Sequence, residues 1–201
     1  MIRMFSSRNT RLKILCAIAL FLSAASLHGT RVAGAAEKAK ISSEEQVKAA
    51  FLFSFVKFID WPSGVFAAKN SPILIGTIGD DPLGGELRES LHGKNVNGRE
   101  LVVQKIDWPG ETEGLHILLI CASEAKSTPE VLASVKGNPV LTIGEMEQFG
   151  QQGGIINFYI QEKKVRFEIN IDAANKARLK ISSQLLSLAR IIRDNPREGG
   201  M

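Results

Sequence analysis

Hydrophobic positions along this 201-residue chain fall into blocks whose spacing changes from one end to the other. Residues 14–27 are apolar, follow Arg3, Arg8, Arg11 and Lys13, and give way to the small-residue run Val32-Ala33-Gly34-Ala35-Ala36. Basic, apolar, small is the order of a secretory leader. An apolar stretch of about 14 residues falls short of the roughly 20 that span a bilayer, so the pattern predicts a leader over residues 1–35, cut at Ala33-x-Ala35, rather than a retained anchor. Cys16 follows Ile14-Leu15 and lacks the small residue two places ahead that a lipidation site would show.

Past the leader, Ser42-Ser43-Glu44-Glu45-Gln46 offers Ser-x-x-Glu and Ser-x-x-Gln capping boxes, which predict a helix start. The residues behind it, Val47, Ala49 to Phe53, Phe55, Val56, Phe58 and Ile59, are apolar on nearly every face. Such a helix is either buried deeply or shows one apolar face to a partner. Asp60-Trp61-Pro62 ends it, because the residue before proline is pushed out of the helical region.

Three short apolar runs follow, at residues 73–78, 115–121 and 140–143, with Leu101-Val102-Val103 between the first two. Helical stretches alternate with them, one running to about His92 and one opening at Ser127-Thr128-Pro129-Glu130, where proline suits the first turn. Continuous apolar strands alternating with helices predict parallel strands covered on both faces. The pattern then changes. Residues 155–160 and 165–171 flank Gln161-Glu162-Lys163-Lys164 as an antiparallel hairpin, whose second arm places Val165, Phe167, Ile169 and Ile171 on one side and Arg166, Glu168 and Asn170 on the other. A last helix is predicted over about residues 182–193, with Leu185, Leu186, Leu188, Ala189, Ile191 and Ile192 as its apolar stripe. The fold class this implies is a three-layer α/β/α sandwich with a mixed, mainly parallel sheet and a C-terminal antiparallel hairpin. No linker or low-complexity stretch interrupts residues 36–201, which read as a single domain.

Charge changes the picture once the leader is set apart. Five of the 25 Lys and Arg lie in residues 1–35, which hold no Asp or Glu, so the remainder carries 20 basic against 21 acidic residues and a net charge near −1 instead of +4. Nucleic-acid binding gains no support. Of two cysteines, Cys16 lies in the leader, and Cys121, behind Leu118-Leu119-Ile120, reads as a buried small hydrophobe with no intramolecular disulfide open to it.

Candidate chemistry is sparse. His28 is in the leader, and His92 and His116 stand apart from any second ligand at metal spacing. Neither a nucleophile elbow nor a phosphate-binding loop occurs, and no cofactor is implied. His116 as a base for Cys121 fails on geometry, five residues back along one strand and facing the opposite side. Gly76-Thr77-Ile78-Gly79-Asp80-Asp81 lies where a strand turns into a helix and could meet a small ligand, although turn chemistry alone accounts for it. Ile-Asp-Trp-Pro occurs at residues 59–62 and 106–109 with unlike flanks, a coincidence rather than a repeat. Arg166, Glu168 and Asn170 on the hairpin, with Lys180, Ser182, Ser183 and Arg190 beyond it, form either a solvated face, which composition favours, or a recognition surface.

These segments resemble the YfiR family of small exported proteins. The resemblance rests on Val47-Lys48-Ala49-Ala50-Phe51-Leu52, Phe55-Val56-Lys57-Phe58-Ile59-Asp60-Trp61-Pro62, and Pro139-Val140-Leu141-Thr142-Ile143 with Phe149. Its strongest part is Gly153-Gly154-Ile155-Ile156-Asn157-Phe158, Val165-Arg166-Phe167-Glu168-Ile169-Asn170, and Leu179-Lys180-Ile181-Ser182-Ser183-Gln184-Leu185-Leu186 with Leu188-Ala189-Arg190. It covers about residues 46–193. It implies a non-enzymatic, dimeric periplasmic regulator that binds the periplasmic sensor domain of a membrane-bound GGDEF diguanylate cyclase and holds it inactive. An OmpA-like outer-membrane lipoprotein relieves that repression by sequestering the repressor, and the output is less cyclic di-GMP and less biofilm. Disulfides found in some members cannot form here within a mature chain that holds Cys121 alone. The partner-binding residues expected on this basis are Lys57, Trp61, Arg166, Glu168, Asn170, Lys180 and Arg190, with Arg166 and Glu168 central. The rival expectation is a small-ligand or solute-sensing module using the Gly79-Asp80-Asp81 turn or a pocket beside the hairpin.

Overall fold

The computed structural model describes the backbone of residues 29–80 and 82–194, and side chains over residues 43–80 and 83–194. The leader expected over residues 1–35 therefore lies outside the described residues up to position 28. Two units are distinguished, residues 1–42 and 43–201. The described part of the first is helical. It belongs to α1 (Gly29–Phe58), so the helix begins upstream of the start expected at Ser42-Ser43. The reason is local: residues 33–41 hold four Ala and two Lys and no proline, so the backbone runs through the two serines instead of opening at them.

The second unit is a sandwich around one eight-stranded sheet. After α1 come β1 (Ile59–Asp60), β2 (Ile73–Ile78), α2 (Pro82–Leu91), β3 (Asn95–Val96), β4 (Arg99–Ile106) and β5 (Ile117–Ile120). These are followed by α3 (Thr128–Ser134), β6 (Leu141–Gly144), β7 (Ile156–Gln161), β8 (Lys164–Asn170), α4 (Ile171–Lys176), β9 (Lys180–Ile181), α5 (Ser183–Leu186) and β10 (Arg190–Ile192). Strand order is β10-β8-β7-β6-β5-β2-β4-β3, and β1 pairs separately with β9. The run from β4 through β7 is parallel, β7 and β8 form the antiparallel hairpin, and β10 returns parallel to β8. The α/β sandwich with a mixed, mainly parallel sheet is thus as expected.

Alternation along β5 shows why its sequence is apolar throughout. Ile117 and Leu119 join the core beneath α1 and α2, with Leu52, Phe55, Leu83, Leu87, Phe158 and Phe167. Leu118 and Ile120 join the opposite core with Val131, Leu132 and Phe149. A strand covered on both faces has no solvent side to make polar. Helix α1 contributes Ala49, Leu52, Phe55 and Val56 to the first core, where the Phe55 ring lies 5.0 Å from that of Phe167 and 5.7 Å from that of Phe158.

The C-terminal helix expected over residues 182–193 is corrected. Only Ser183–Leu186 is helical, capped by the Ser182 hydroxyl accepting from the Leu185 N–H, and Arg190–Ile192 forms the edge strand β10. Pairing with β8, some 20 residues earlier, overrides a local pattern that fits a helix equally well. Ile171 likewise leaves the strand to begin α4.

Candidate partner-binding surface

The hairpin sets the geometry of this end of the sheet. Its turn residues, Glu162 and Lys163, sit at φ of 51° and 61°, the left-handed conformation that a two-residue hairpin turn demands of both central positions. The resulting register places Tyr159 opposite Arg166, Phe158 opposite Phe167 and Asn157 opposite Glu168. In turn, β10 places Arg190 opposite Glu168.

Glu168 is buried, and its carboxylate is spent inside the fold. Oε2 accepts from Arg190 Nε at 3.0 Å and from Arg190 Nη2, while Oε1 accepts from Asn157 Nδ2 at 3.3 Å. Asn157 also accepts from the Met146 N–H and donates to its carbonyl, so the loop after β6 is tied into the same network. The Arg190 guanidinium lies 4.3 Å above the Tyr159 ring, and its hydrogen bond to Glu168 raises its pKa further. Asn170, fully buried, accepts from the Ala173 N–H to cap α4 and donates to the Gly150 carbonyl and Asp194 Oδ1, each donation at 2.8 Å. Asp194, paired with Lys176, is held below its ordinary carboxylate value by that hydrogen bond first and by Asn170 next. The solvated face that composition favours is therefore absent at Glu168 and Asn170.

What this framework leaves outside is a mixed surface. Arg166 and most of the Arg190 side chain are exposed on the Glu168 face of the sheet, whereas Ile160 and Ile191, which pair with Val165 and Ile169, are 52% and 40% exposed on the other face, and Leu188, ahead of β10, is 69% exposed. Among the described residues β10 is the last strand in the sheet, and its outer edge pairs with none of them. The sequence pattern places Leu188 and Ile191 in the apolar stripe of a helix. In the structure Leu188 lies in the link before β10 and Ile191 within it, and both are exposed.

Lys57, Trp61 and Lys180 gather elsewhere, around the β1–β9 pair. Lys180 lies opposite Asp60 in that ladder, and the Lys57 ammonium sits 4.1 Å over the Phe53 ring. Trp61 is half-buried against Phe66, and its indole N–H is buried with no hydrogen-bond partner among the described residues. The expected site residues thus divide into two groups, one at the hairpin edge and one at the small sheet.

The turn after β2 offers little room to a ligand. Gly79 sits at φ +98°, a Cβ there would lie 2.5 Å from Ser123 Oγ, and that hydroxyl accepts from the Asp80 N–H at 2.9 Å. The chain itself fills the crevice between the ends of β2 and β5. Cys121 is buried, as expected. His116 is also buried, stacked at 4.5 Å on Phe66, whose ring the Arg99 guanidinium approaches at 3.7 Å. Its Nδ1 accepts from the Leu74 N–H at 3.1 Å, so the ring is neutral, and burial first and Arg99 second lower its pKa from 6.5. Among the described residues, no group of three acidic, histidine or cysteine side chains could hold a metal, and no helix is long and apolar enough to cross a membrane.

The fold is a three-layer α/β sandwich in which Glu168, Asn157 and Asn170 satisfy one another or the backbone inside, while Ile160, Leu188 and Ile191 stay exposed near one end of the sheet and Val47 and Phe58 on α1. Exposed apolar groups of this kind suit a small protein that associates with others. Residues 45–190 match the model of the YfiR/HmsC-like family, and the chain belongs to that family. The family is a regulatory one, and membership supports a role in cyclic di-GMP signalling. Comparison with curated proteins returns no match.

Proposed function

We propose that the protein is a periplasmic repressor. In this reading residues 1–35 are removed on export, and residues 36–201 act as one domain that binds the periplasmic sensor domain of an inner-membrane diguanylate cyclase and holds the enzyme inactive. The observation that carries the reading is the family match over residues 45–190, nearly the whole chain beyond the leader. The β10 end of the sheet supports it, with Ile160, Leu188 and Ile191 as exposed apolar anchors and Arg166 and Arg190 as exposed charges on the opposite face, so that a partner wrapping this end would meet both. Glu168 and Asn170 then act as positioning residues that hold the edge from within. A homodimer, and release by an OmpA-like outer-membrane lipoprotein, complete the proposal. Deleting the gene is expected to raise cellular cyclic di-GMP and biofilm, with both restored by the intact chain. Unchanged cyclic di-GMP in the deletion strain contradicts it.

One observation favours a second reading. A cleft of about 800 Å³ opens between α3 and α4, with Lys136, Gln151, Gln152 and Arg193 among its lining residues, and is large enough for a metabolite. A thermal-shift screen separates this reading from the first, since a bound ligand raises Tm as its concentration passes Kd.

A further inference from the structure

Helix α1 carries a charge cluster that neither the hairpin edge nor the cleft accounts for. Lys48, 6% exposed, directs its ammonium to three carboxylates: Glu145 at 2.6 Å, Glu44 at 3.0 Å and Glu45 at 3.4 Å. Glu145 directly follows β6, 97 residues along the chain, so the cluster joins α1 to the C-terminal end of the sheet. An ammonium has three N–H donors, and here each carboxylate takes one. With all three acids ionised the cluster holds two uncompensated negative charges.

The three carboxylates are not equivalent. Glu44 and Glu145 keep 28% and 22% of their side-chain exposure and so retain water, and Glu145 makes the shortest contact. Glu45 is 8% exposed, makes the longest contact, and its second oxygen, Oε2, is buried with no hydrogen-bond partner among the described residues. A buried ionised oxygen without a donor is costly, and a proton on it removes a charge while supplying an O–H donor.

We propose that Glu45 is a proton-binding residue, and that the Glu44–Glu45–Lys48–Glu145 cluster is a latch that tightens α1 against the end of β6 as the pH of the medium falls. The charged groups facing Glu45 are Lys48 and Glu44 on its own helix and Glu145 from the sheet. Burial first, then Glu145 and Glu44, raise its pKa above 4.5 against the opposing pull of Lys48. Because the folded value is raised, the stabilisation is fully present below 4.5 and is lost as pH climbs through the folded value. The consequence for signalling rests on the export reading above, since small ions equilibrate between the periplasm and the medium. The test needs no cyclase, so failure of either idea is separately visible.

Two measurements on the full-length mature chain decide it. A carbon-detected NMR titration of wild-type protein is expected to show the Glu45 carboxyl titrating above 4.5. Glu45→Gln, which places an amide donor where the proton would sit, is expected to melt about 2–4 °C above wild type at neutral pH, with the gap closing in acid. A Glu45 carboxyl that titrates at or below 4.5, or a gap that is the same at every pH, overturns the proposal.

Discussion

Replacing Arg190 with alanine tests whether the Glu168 pair holds the sheet edge. The substitution removes both guanidinium contacts to Glu168 Oε2 and leaves a carboxylate whose side chain is 4% exposed with Asn157 as its remaining donor. Stranding one member of a fully buried pair costs about 3–5 kcal/mol. Here the Arg190 side chain is 57% exposed and water can enter the space it vacates, so solvent screening reduces the expected loss to about 2 kcal/mol. For a chain of this length that lowers Tm by about 4–8 °C. Most of the loss comes from the stranded charge rather than from the missing attraction. Glu168→Gln added to Arg190→Ala is therefore expected to recover roughly half of it, a coupling that a double-mutant cycle reads directly. Thermal or urea unfolding of the four proteins is the assay. An Arg190→Ala variant within about 1 °C of wild type, or a Glu168→Gln change that deepens the loss, refutes the argument that this buried acid anchors β10.

Two further outcomes follow from the cores and the buried histidine. Phe55→Ala empties a site among the Phe51, Phe158 and Phe167 rings and is expected to cost about 3–5 kcal/mol in urea unfolding, with half-buried Phe53→Ala costing less than half of that. His116, whose folded pKa is lowered, contributes stability that is complete above 6.5 and is lost as pH falls through the folded value. Wild type is therefore expected to lose Tm relative to His116→Asn as pH falls below 6.5, and an equal slope in both proteins contradicts the neutral-ring assignment.

The parallel strands were legible because burial on both faces leaves apolar runs such as Leu118-Leu119-Ile120, and the hairpin because Val165, Phe167 and Ile169 alternate with polar residues. The last strand was not. Leu185, Leu186, Leu188, Ala189, Ile191 and Ile192 satisfy a helical stripe, and only the pairing of Arg190 with Glu168 across the sheet selects a strand for the second half. The two-residue strands β1 and β9 are too short to carry a period. Site residues suffered in the same way. Glu45 reads as the acid of a Ser-x-x-Glu capping box, and nothing local to it announces Glu145 some hundred positions later. Glu168 reads as solvent-facing by alternation, whereas the returning β10 and the Asn157 amide enclose it.

The most direct test of the central claim is equilibrium binding between the mature chain and the isolated periplasmic domain of the candidate cyclase, with wild type set against a Leu188→Asp/Ile191→Asp variant shown by its Tm to be folded. The account predicts that wild type binds and that the variant binds at least about tenfold more weakly, since two exposed apolar anchors, one in β10 and one just ahead of it, are replaced by charges. Wild-type protein that fails to bind the domain, or a folded variant that binds as tightly as wild type, contradicts it.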